Sequence, residues 1–479
     1  MEQKQVRVRF PPSPTGPMHV GTARALLFNF LFAQSKKGVV VFRSEDTDQQ
    51  RSRVEFEQEI LAGLKWLGLS FDEGPFRQSQ RGAIYEQYFA KLRATGKIYP
   101  CFCSADELQR ERTEQKQAKK PPRYSGKCRR LSASEIEQRL KAGLKPAWRF
   151  RVPAGELSFQ DLIRGQISER GENLADFVIR RADGQFLYHF TVVVDDAEMR
   201  ISHVIRGEDH LTNTSKHLLL FDALRLPRPK FAHLPLLLNP DRTKMSKRDE
   251  GGRPATLARL IQDGYLPEAI LNFLALLGWN PGGQQEFFSL LELTKCFSLA
   301  KIQKAGAVFN LKRLDFFNQN YLRRLTLAEL ATKVRPSLSF EVSDERRFLA
   351  ALELIRERLR FFAEADELLK FFFQVPEWDC QLFANQKMQV TLVSAKTALK
   401  QVLGKLAALK DWTEASLRTN LLALVQELNL KNGQVLWPMR VALTGRKFSP
   451  GAFEVAAVLG QRATLTRLSN ALDKLENIR

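Results

Sequence analysis

Residues 9–29 read RFPPSPTGPMHVGTARALLFN. Prolines and glycines shape the first part of this stretch, and one histidine and one glycine stand directly before an apolar segment. From residue 19 onward the apolar side chains recur at helical spacing, at Val20, Ala23, Leu27, Phe30 and Leu31. The stretch predicts a stiff loop that opens a helix, whose N-terminal N–H groups and dipole favour a phosphate.

The neighbouring segments continue an alternation of strands and helices. Residues 7–10 and 39–42 have strand patterns, residues 56–67 form an amphipathic helix pattern, and an acidic turn follows the second strand at 45–48. This order predicts a parallel α/β sheet with right-handed crossovers.

A second set of strands is expected further along the chain. Alternating apolar residues at 186–194 and 201–205 and the apolar run 234–238 predict three strands. Between the two sets, residues 104–145 are charged and broken by prolines, which indicates an insertion that divides the sheet into two halves.

After about residue 255 the sequence predicts helices almost throughout. In residues 347–365 one apolar stripe predicts a single helix, and residues 419–428 and 462–475 repeat the amphipathic pattern. Breaks are predicted at 431–433 and at Trp437-Pro438.

Charge and composition narrow the partners. Lys and Arg number 74 against 53 Asp and Glu, a formal net charge of +21, which favours a polyanion without telling RNA from DNA or an anionic membrane. The N-terminus has no apolar signal core and no run approaches ~18 apolar residues. Five cysteines, three of them at 101–128, argue against a disulfide framework, so we expect a cytoplasmic protein.

A second motif, KMSKR, occupies residues 244–248. Lys244, Lys247 and Arg248 surround a serine, and such cations on a mobile loop can stabilise the charge that gathers on a leaving pyrophosphate. Alone, such a motif is more often a run of charged residues exposed to solvent. Its occurrence together with the first motif favours the functional interpretation.

Together, PSPTG, HVGT and KMSKR resemble the motifs of class I aminoacyl-tRNA synthetases, in the form found in bacterial glutamyl-tRNA synthetases. The resemblance extends over nearly the whole chain. It implies a Rossmann-type nucleotide-binding domain with an α+β insertion, followed by an all-α anticodon-binding region. It also implies ATP, Mg²⁺, L-glutamate and tRNA(Glu) as ligands, with tRNA bound before glutamate activation proceeds well.

We expect five parts in chain order. They are residues 1–100 (first half of the catalytic domain), 101–185 (acceptor-stem insertion), 186–240 (second half), 241–320 (KMSKR loop and stem-contact helices) and 321–479 (helical anticodon-binding domain).

The motifs supply candidate catalytic and ATP-binding residues. His19 can donate a hydrogen bond to the α-phosphate, and Gly21 lets an adenine approach the backbone. Lys244, Lys247 and Arg248 face the leaving group, and Glu208 lies near the ribose and adenine by the family pattern. No covalent nucleophile is expected, because positioning and charge stabilisation suffice.

A glutamate site needs cations for the side-chain carboxylate and an acid for the amine. Arg9 and Arg206 are the candidate cations and Glu45 the acid, since all three end strands of the predicted sheet. The resemblance adds Ser13 and Tyr188. For each arginine a structural salt bridge remains an alternative.

Two further features of this region are open. Asp195 and Asp196, at the end of VVVDD, are functional or merely cap a turn after a strand. Ser44 stands where the family usually has an apolar residue, and we expect the change to be tolerated.

The insertion holds Cys101, Cys103 and Cys128, with Tyr124 four residues before the last. Some family members bind zinc there with CxC followed by CxH, but the histidine is missing here. A related pattern ends YxxxC and makes Cys101, Cys103, Tyr124 and Cys128 the ligands of a structural Zn²⁺. The alternative is a lost site with three reduced thiols.

Two basic regions are candidate RNA contacts. The insertion carries nine cations between residues 110 and 130, and Arg358 falls where the family reads the third anticodon base. An arginine there is compatible with selecting tRNA(Glu) over tRNA(Gln). A solvated charged face explains either region as well.

The interpretation that we favour is a monomeric glutamate–tRNA ligase with neither DNA nor membrane partners. Alternatives are a non-discriminating enzyme that also charges tRNA(Gln), a tRNA-modifying paralogue, and a non-catalytic RNA-binding protein on a synthetase fold. The long helical half argues against the modifying paralogue, which lacks it, and the intact motifs argue against a non-catalytic protein.

Overall fold

The computed structural model describes residues 5–245 and 256–477 of the chain. Backbone contacts divide it into two compact units, Met1–Leu260 with Ile270–Leu311, and Ile261–Ala269 with Lys312–Arg479. The division into five parts stays a prediction.

The first unit begins with the expected alternation. Its elements are β1 (Arg7–Phe10), α1 (Val20–Ser35), β2 (Val39–Ser44), α2 (Val54–Trp66), β3 (Glu73–Arg77) and α3 (Gly82–Ala94). The three strands are parallel in the order β1-β2-β3. The predicted strands and helices up to residue 67 are therefore confirmed.

The insertion mixes short helices with antiparallel strands. It contains β4 (Ile98–Cys101), α4 (Ala105–Gln117), α5 (Ala133–Lys141), β5 (Ala147–Phe150), β6 (Glu156–Asp161), β7 (Gly165–Arg170) and β8 (Val178–Arg180). Strands β4, β5 and β8 form one antiparallel sheet, while the β6–β7 hairpin joins the next sheet. This is the α+β insertion that was expected.

The second half of the α/β region returns to parallel strands. It contains α6 (Tyr188–Glu198), β9 (His203–Gly207), α7 (Leu211–Ala223), β10 (Lys230–Leu234) and β11 (Leu237–Leu238). Strand β10 pairs in parallel with β9 and β6. Just before β9, Ser202 is hydrogen-bonded to β1: the Arg7 N–H donates to Ser202 Oγ (2.7 Å), and the Ser202 N–H donates to the Arg7 carbonyl (2.9 Å). Strand β9 therefore lies next to β1. The carboxyl ends of β1, β2 and β9 consequently lie at one edge.

The strand predicted at 186–194 is wrong, because most of that segment forms α6. Residues 190–196 are all buried, so the helix has no solvent-exposed face along this stretch. A short helix that is buried all round cannot be told from a buried strand by periodicity. Asp195 and Asp196 therefore lie inside a helix and cap no strand-ending turn.

The single strand predicted at 234–238 is divided in two. Strand β10 ends at Leu234, Pro235 and Leu236 intervene, and β11 pairs with a later strand, β12. A proline cannot donate to a ladder, which accounts for the interruption. The elements that follow are α8 (Leu257–Asp263), α9 (Pro267–Leu276), α10 (Leu290–Cys296) and β12 (Ala307–Val308).

Helices build the second unit, and residues 312–477 contain no β-sheet. They are α11 (Leu311–Leu322), α12 (Leu327–Val334), α13 (Glu345–Ile355), α14 (Glu364–Phe373), α15 (Leu392–Ala407), α16 (Glu414–Glu427), α17 (Asn432–Thr444), α18 (Ala452–Leu459) and α19 (Gln461–Glu476). The all-α expectation is confirmed.

Two expectations in this unit are wrong. Residues 347–365 form no single helix, since α13 stops and a 3₁₀ turn, Arg356–Arg358, precedes α14. The N–H of Phe362 donates to the Gly264 carbonyl instead (3.2 Å). Likewise α17 runs through Pro438, because burial of this proline and its neighbours outweighs the ~3 kcal/mol that a helical proline costs.

Candidate active site

Two adjoining cavities open at the carboxyl ends of β1, β2 and β9. Cavity A, about 330 Å³, is lined among others by His19, Gly21, Arg24, Asp209 and Lys244. Cavity B, about 560 Å³, is lined among others by Arg9, Ser13, Glu45, Tyr188 and Arg206. Pro11, Pro12, Thr22, Arg206 and His210 line both. The structure thus brings the five predicted amino-acid-binding residues together, next to the histidine and glycine of the first motif.

His19 is the N-cap of α1. Its Nδ1 accepts a hydrogen bond from the Gly21 N–H (3.1 Å). A neutral imidazole that accepts at Nδ1 carries its proton at Nε2. The cap therefore presents a ring N–H donor beside the positive end of the helix, which suits an anion in cavity A.

Gly21 leaves little room for a side chain. A Cβ there would lie 3.2 Å from His19 Nδ1 and 3.7 Å from Leu237 Cδ1. Any larger residue would press on the histidine ring and narrow the cavity mouth between α1 and β11.

Arg24, on the next turn of α1, lies in the wall of cavity A. Burial lowers its pKa to about 9, although Glu208 acts in the opposite direction. Its Nη1 donates to the Pro235 carbonyl (2.7 Å), which fixes the chain between β10 and β11. Sequence reasoning missed this residue, although an arginine within an apolar helix pattern is a visible signal.

Lys244 reaches cavity A from a turn after β11. The Asn239 N–H donates to the Thr243 carbonyl (2.9 Å), and the Met245 N–H donates to the Leu237 carbonyl (3.0 Å). This hairpin directs Lys244, an exposed side chain, to the cavity wall. Lys247 and Arg248 fall outside the described residues.

Glu208 has a different setting from the one predicted. It forms an ion pair with Arg164 and accepts the Leu236 N–H (2.9 Å). It does not appear among the described residues that line either cavity, whereas its neighbour Asp209 does. In this structure its carboxylate supports the backbone between β10 and β11, at Leu236 in the wall of cavity A, and its contact with ATP stays a prediction.

Arg206 ends β9 in the wall between the cavities and is 7% exposed. Its guanidinium donates to Tyr188 Oη (3.3 Å) and Thr214 Oγ1 (2.7 Å). Burial lowers its pKa, the nearby Arg9 adding to the effect. Within the described residues no Asp or Glu oxygen lies within 4.0 Å of this guanidinium, so it suits an incoming carboxylate.

Arg43 lies beneath cavity B and is fully buried. It donates to Asp196 Oδ1 (2.7 Å) and Glu45 Oε1 (2.9 Å). Burial would lower its pKa, but Asp196, Glu45 and Asp195 together raise it above the ordinary value. Sequence reasoning missed Arg43, since its partners in α6 are 153 residues away.

Arg9 and Glu45 complete the charged part of cavity B. Arg9 Nε donates to Asp196 Oδ1 at a long 3.4 Å. Burial raises the pKa of Glu45 despite Arg43 and Arg9, which act against it. A cationic ammonium beside Glu45 would favour its ionised form.

Tyr188 bridges to the polar rim of the cavity. Its hydroxyl lies 3.2 Å from His210 Nδ1, and burial raises its pKa to about 12, so it remains a neutral hydroxyl. Ser13, in the loop after β1, is exposed at the opposite wall.

Asp195 points away from the cavities. It accepts from Gln78 Nε2 (2.8 Å), Arg81 Nε (2.7 Å) and the Tyr85 hydroxyl (2.8 Å). Asp196 binds Arg43, so the two aspartates together connect α6 to β2 and α3. We therefore favour this structural role over a functional site and over a turn cap.

Three cysteines form a separate cluster in the insertion. The Sγ atoms of Cys101, Cys103 and Cys128 lie within 4.8 Å of one another, with Cys103 and Cys128 at 3.5 Å. The Tyr124 hydroxyl lies 3.4 Å from Cys101 Sγ and 3.7 Å from Cys103 Sγ. Four ligands around a tetrahedral zinc, with Zn–S bonds near ~2.3 Å, are about 3.8 Å apart, so the donor set fits such an ion.

The basic regions are largely exposed. In the insertion, Lys127 pairs with Glu107 (2.7 Å) and Arg129 with Asp176 (3.0 Å). The other cations there are exposed: Arg110, Arg112, Lys116, Lys119, Lys120, Arg123 and Arg130.

In the second unit, Arg358 is exposed at the end of the 3₁₀ turn. The prediction that it lies on a regular helix is therefore wrong. Burial lowers the pKa of Arg440, and the positive charge of Arg358 adds to the effect.

The described residues contain no helix long and apolar enough to span a membrane.

Two family models match the sequence. The model "tRNA synthetases class I (E and Q), catalytic domain" matches residues 5–316, and an anticodon binding domain model matches residues 327–472.

Full-length relatives are also found. The chain is 41% identical to a glutamate–tRNA ligase of Heliobacterium modesticaldum over 98% of this chain and 97% of the relative, and 38% identical to one of Clostridium tetani over 100% and 99%. Its fold is similar to a crystal structure of a glutamate tRNA ligase from Elizabethkingia meningosepticum in complex with its amino acid. That match has a TM-score of 0.82 and 31% identity, and covers 98% of this chain and 100% of the other.

Proposed function

The chain belongs to the glutamate–tRNA ligase family of class I tRNA synthetases, and from this we propose how its two cavities activate glutamate with ATP for transfer to tRNA. Cavity B receives the amino acid and cavity A the nucleotide. The shared wall at Pro11, Pro12 and Arg206 supports this division, because it allows the α-carboxylate of one ligand to reach the α-phosphorus of the other.

Arg206 carries the proposal. A buried guanidinium with no carboxylate partner within 4.0 Å among the described residues is costly unless an anion binds it. The side-chain carboxylate of glutamate supplies that anion, with Arg9 as a second cation. Glu45 accepts the α-ammonium, which leaves the α-carboxylate unbound and able to attack.

In the first step a carboxylate oxygen bonds to the α-phosphorus of ATP and the bond to pyrophosphate breaks, giving glutamyl-adenylate. His19 donates its Nε2–H to the α-phosphate as charge develops, and the ammonium of Lys244 faces the leaving pyrophosphate. Lys247 and Arg248 are proposed for the same role. In the second step a hydroxyl of the terminal adenosine of tRNA takes the glutamyl group and AMP leaves.

Magnesium enters with the phosphates of ATP, since it is usually held by one or two carboxylates plus substrate oxygens. Asp209, in the wall of cavity A, offers such a carboxylate. The ion supplies charge neutralisation to the triphosphate.

ATP–pyrophosphate exchange in the presence of tRNA tests this assignment. Arg206→Ala should raise the glutamate KM steeply and the ATP KM far less, because Arg206, although it lines both cavities, is the cation proposed to bind the glutamate carboxylate. An equal loss for both ligands would refute the pocket assignment. Absence of exchange in the unaltered chain would favour the non-catalytic alternative.

We propose further that Cys101, Cys103, Cys128 and Tyr124 hold a structural zinc that braces the insertion. The spacing of the three sulfurs and the phenolic oxygen supports four-coordinate binding. Metal analysis of the native protein should give close to one zinc per chain, and less than ~0.2 would count against the site, given the tight binding of structural zinc. Cys128→Ser should lower the zinc content, and Cys296→Ser, outside the cluster, is the matched control that should not.

Arg358 is proposed to contact the third anticodon base and to favour tRNA(Glu). Its exposure and its electrostatic interaction with the positive charge of Arg440 support an RNA contact. Arg358→Gln should reduce the preference for tRNA(Glu) over tRNA(Gln), measured as the ratio of kcat/KM for two transcripts. Equal charging of both transcripts by the unaltered chain would establish the non-discriminating alternative.

A further inference from the structure

The guanidinium of Arg206 is enclosed by neutral groups. Its five N–H groups point to five acceptors, none of which is a carboxylate; a substrate carboxylate would take over the long bonds to Tyr188 and to the His210 carbonyl, two residues that line cavity B. They are His233 Nε2 (3.4 Å), Tyr188 Oη (3.3 Å), His217 Nδ1 (3.4 Å), Thr214 Oγ1 (2.7 Å) and the His210 carbonyl (3.3 Å).

The proton positions of the two histidines behind Arg206 follow from this geometry. An arginine only donates, so His217 Nδ1 and His233 Nε2 are both acceptors, and His233 Nε2 also lies 2.9 Å from the hydroxyl of Thr214, which can donate to it. His217 Nε2 then donates to His189 Nδ1 (3.2 Å), and His233 Nδ1 donates to Asp161 Oδ2 (2.6 Å). Each ring is a neutral imidazole whose far nitrogen is hydrogen-bonded, which fixes its tautomer.

Burial keeps both rings in this form. His217 and His233 are 2% and 0% exposed, and burial lowers the pKa of each, well below the ordinary value in His217. Neither ring lines cavity A or cavity B; each acts on the substrate site through Arg206, and His217 also packs edge-to-face on Tyr188 (ring centroids 5.6 Å apart).

The contrast with Arg43 indicates what this arrangement achieves. Arg43 has carboxylates of Asp196 and Glu45 within 2.9 Å, and these cancel its charge. Asp196 and Glu45 also influence Arg206, as does Arg9 with the opposite sign, but the two acids lie beyond 4.0 Å of it. Arg206 is held instead by five neutral acceptors, of which only Thr214 Oγ1 is close (2.7 Å), and its charge is not neutralised.

We propose that His217 and His233 are positioning residues, which fix the Arg206 guanidinium with neutral acceptors so that its charge remains for the carboxylate of the substrate. The inference rests on the proposed function, in which that carboxylate belongs to glutamate. A carboxylate in place of either acceptor would compete with glutamate for the same cation.

The test compares a charged and a neutral replacement of His217. His217→Gln offers an amide oxygen to Arg206 and should retain most of the glutamate affinity. His217→Glu places a carboxylate there and should raise the glutamate KM about a hundredfold, with kcat and the ATP KM within about threefold. Its melting temperature should not fall below that of His217→Gln, because the new ion pair compensates Arg206.

His203→Glu is the matched control. His203 lies on the same strand, bonds Ser202 and lines neither cavity, so this new carboxylate should leave the glutamate KM unchanged. Thr214→Asp and Thr214→Asn repeat the comparison at the closest acceptor of Arg206, with side chains of nearly equal size. This second pair decides the question if His217→Glu does not fold.

Equal KM values in the charged and neutral variants would overturn the proposal, as would losses of kcat and melting temperature without a specific change in the glutamate KM. Exchange by the unaltered chain is measured in parallel. If it is absent, the proposed function fails. If it is normal while the charged and neutral variants behave alike, only the role of the histidines fails.

Discussion

Arg43 and Arg206 are both buried arginines of the amino-acid cavity, and they differ in how far sequence could predict them. Arg206 follows an apolar strand in VIRGED, so its place at a sheet edge was predictable. Arg43 is inside the strand VVVFRS, and its carboxylate partner Asp196 is distant in sequence and was assigned to the wrong kind of element. The side chains at strand ends could be inferred, but the ion pairs beneath them depend on tertiary packing.

Gly21→Ala tests the fit at the first motif. The added methyl meets His19 Nδ1 at 3.2 Å, so the ring must shift by a few tenths of an ångström. We expect kcat for pyrophosphate exchange to fall about tenfold, since small displacements of a catalytic group are costly. Gly82→Ala on α3, where a Cβ meets no atom within 4 Å, should leave kcat unchanged. An unaltered kcat in Gly21→Ala would contradict the role of His19.

The buried histidines predict a loss of stability in acid. Burial, with Lys216, lowers the pKa of His189 to about 3, whereas the unfolded chain takes up this proton near pH ~6.5. Because the folded-state pKa is depressed, the stabilisation is complete above ~6.5 and is lost as the pH falls towards 3. At pH 5 His189 alone costs about 2 kcal/mol. Denaturant unfolding from pH 7.5 to 5 should show this slope, reduced in His189→Gln; an identical slope in that variant would refute the assignment.

At the scale of elements, amphipathic segments were predictable and fully buried ones were not. The 3.6-residue pattern gave α2, α16 and α19 because one side of each helix faces solvent. Helix α6 has no such side along its buried stretch, so the alternation of apolar residues over 186–194 indicated a strand. The stop of α13 likewise depends on backbone partners at Gly264, which local sequence does not reveal.

Helix α4 is a case where local chemistry should dominate. It buries no residue and begins with a capping box, in which Ser104 Oγ accepts the Glu107 N–H (3.1 Å) and Glu107 accepts the Ser104 N–H (2.8 Å). Ser104→Ala should cost about 1 kcal/mol and speed amide hydrogen exchange across Ala105–Gln117 about fivefold. Ser132→Ala, in the matching box of α5, should affect α5 and not α4. Unchanged exchange in α4 would show that packing rather than the cap sustains the helix.

At the scale of the whole molecule, the order of an α/β unit with an insertion and then a helical unit was accessible from sequence. Motif spacing and the change from strand to helix periodicity carried that prediction. Which residues line which cavity could not be predicted from the sequence, because it depends on how α1, β9 and β11 converge. The two units correspond in broad terms to the two matched family models, one for a catalytic domain and one for an anticodon binding domain. A tRNA ligase requires both of these functions.

Glutamylation of two purified transcripts, tRNA(Glu) and tRNA(Gln), with ATP and Mg²⁺ tests the central claim most directly. The account predicts that the unaltered chain charges tRNA(Glu), and that Arg206→Ala lowers kcat/KM for glutamate while tRNA binding persists. Charging of neither transcript by the folded protein, with control enzymes active, would contradict it.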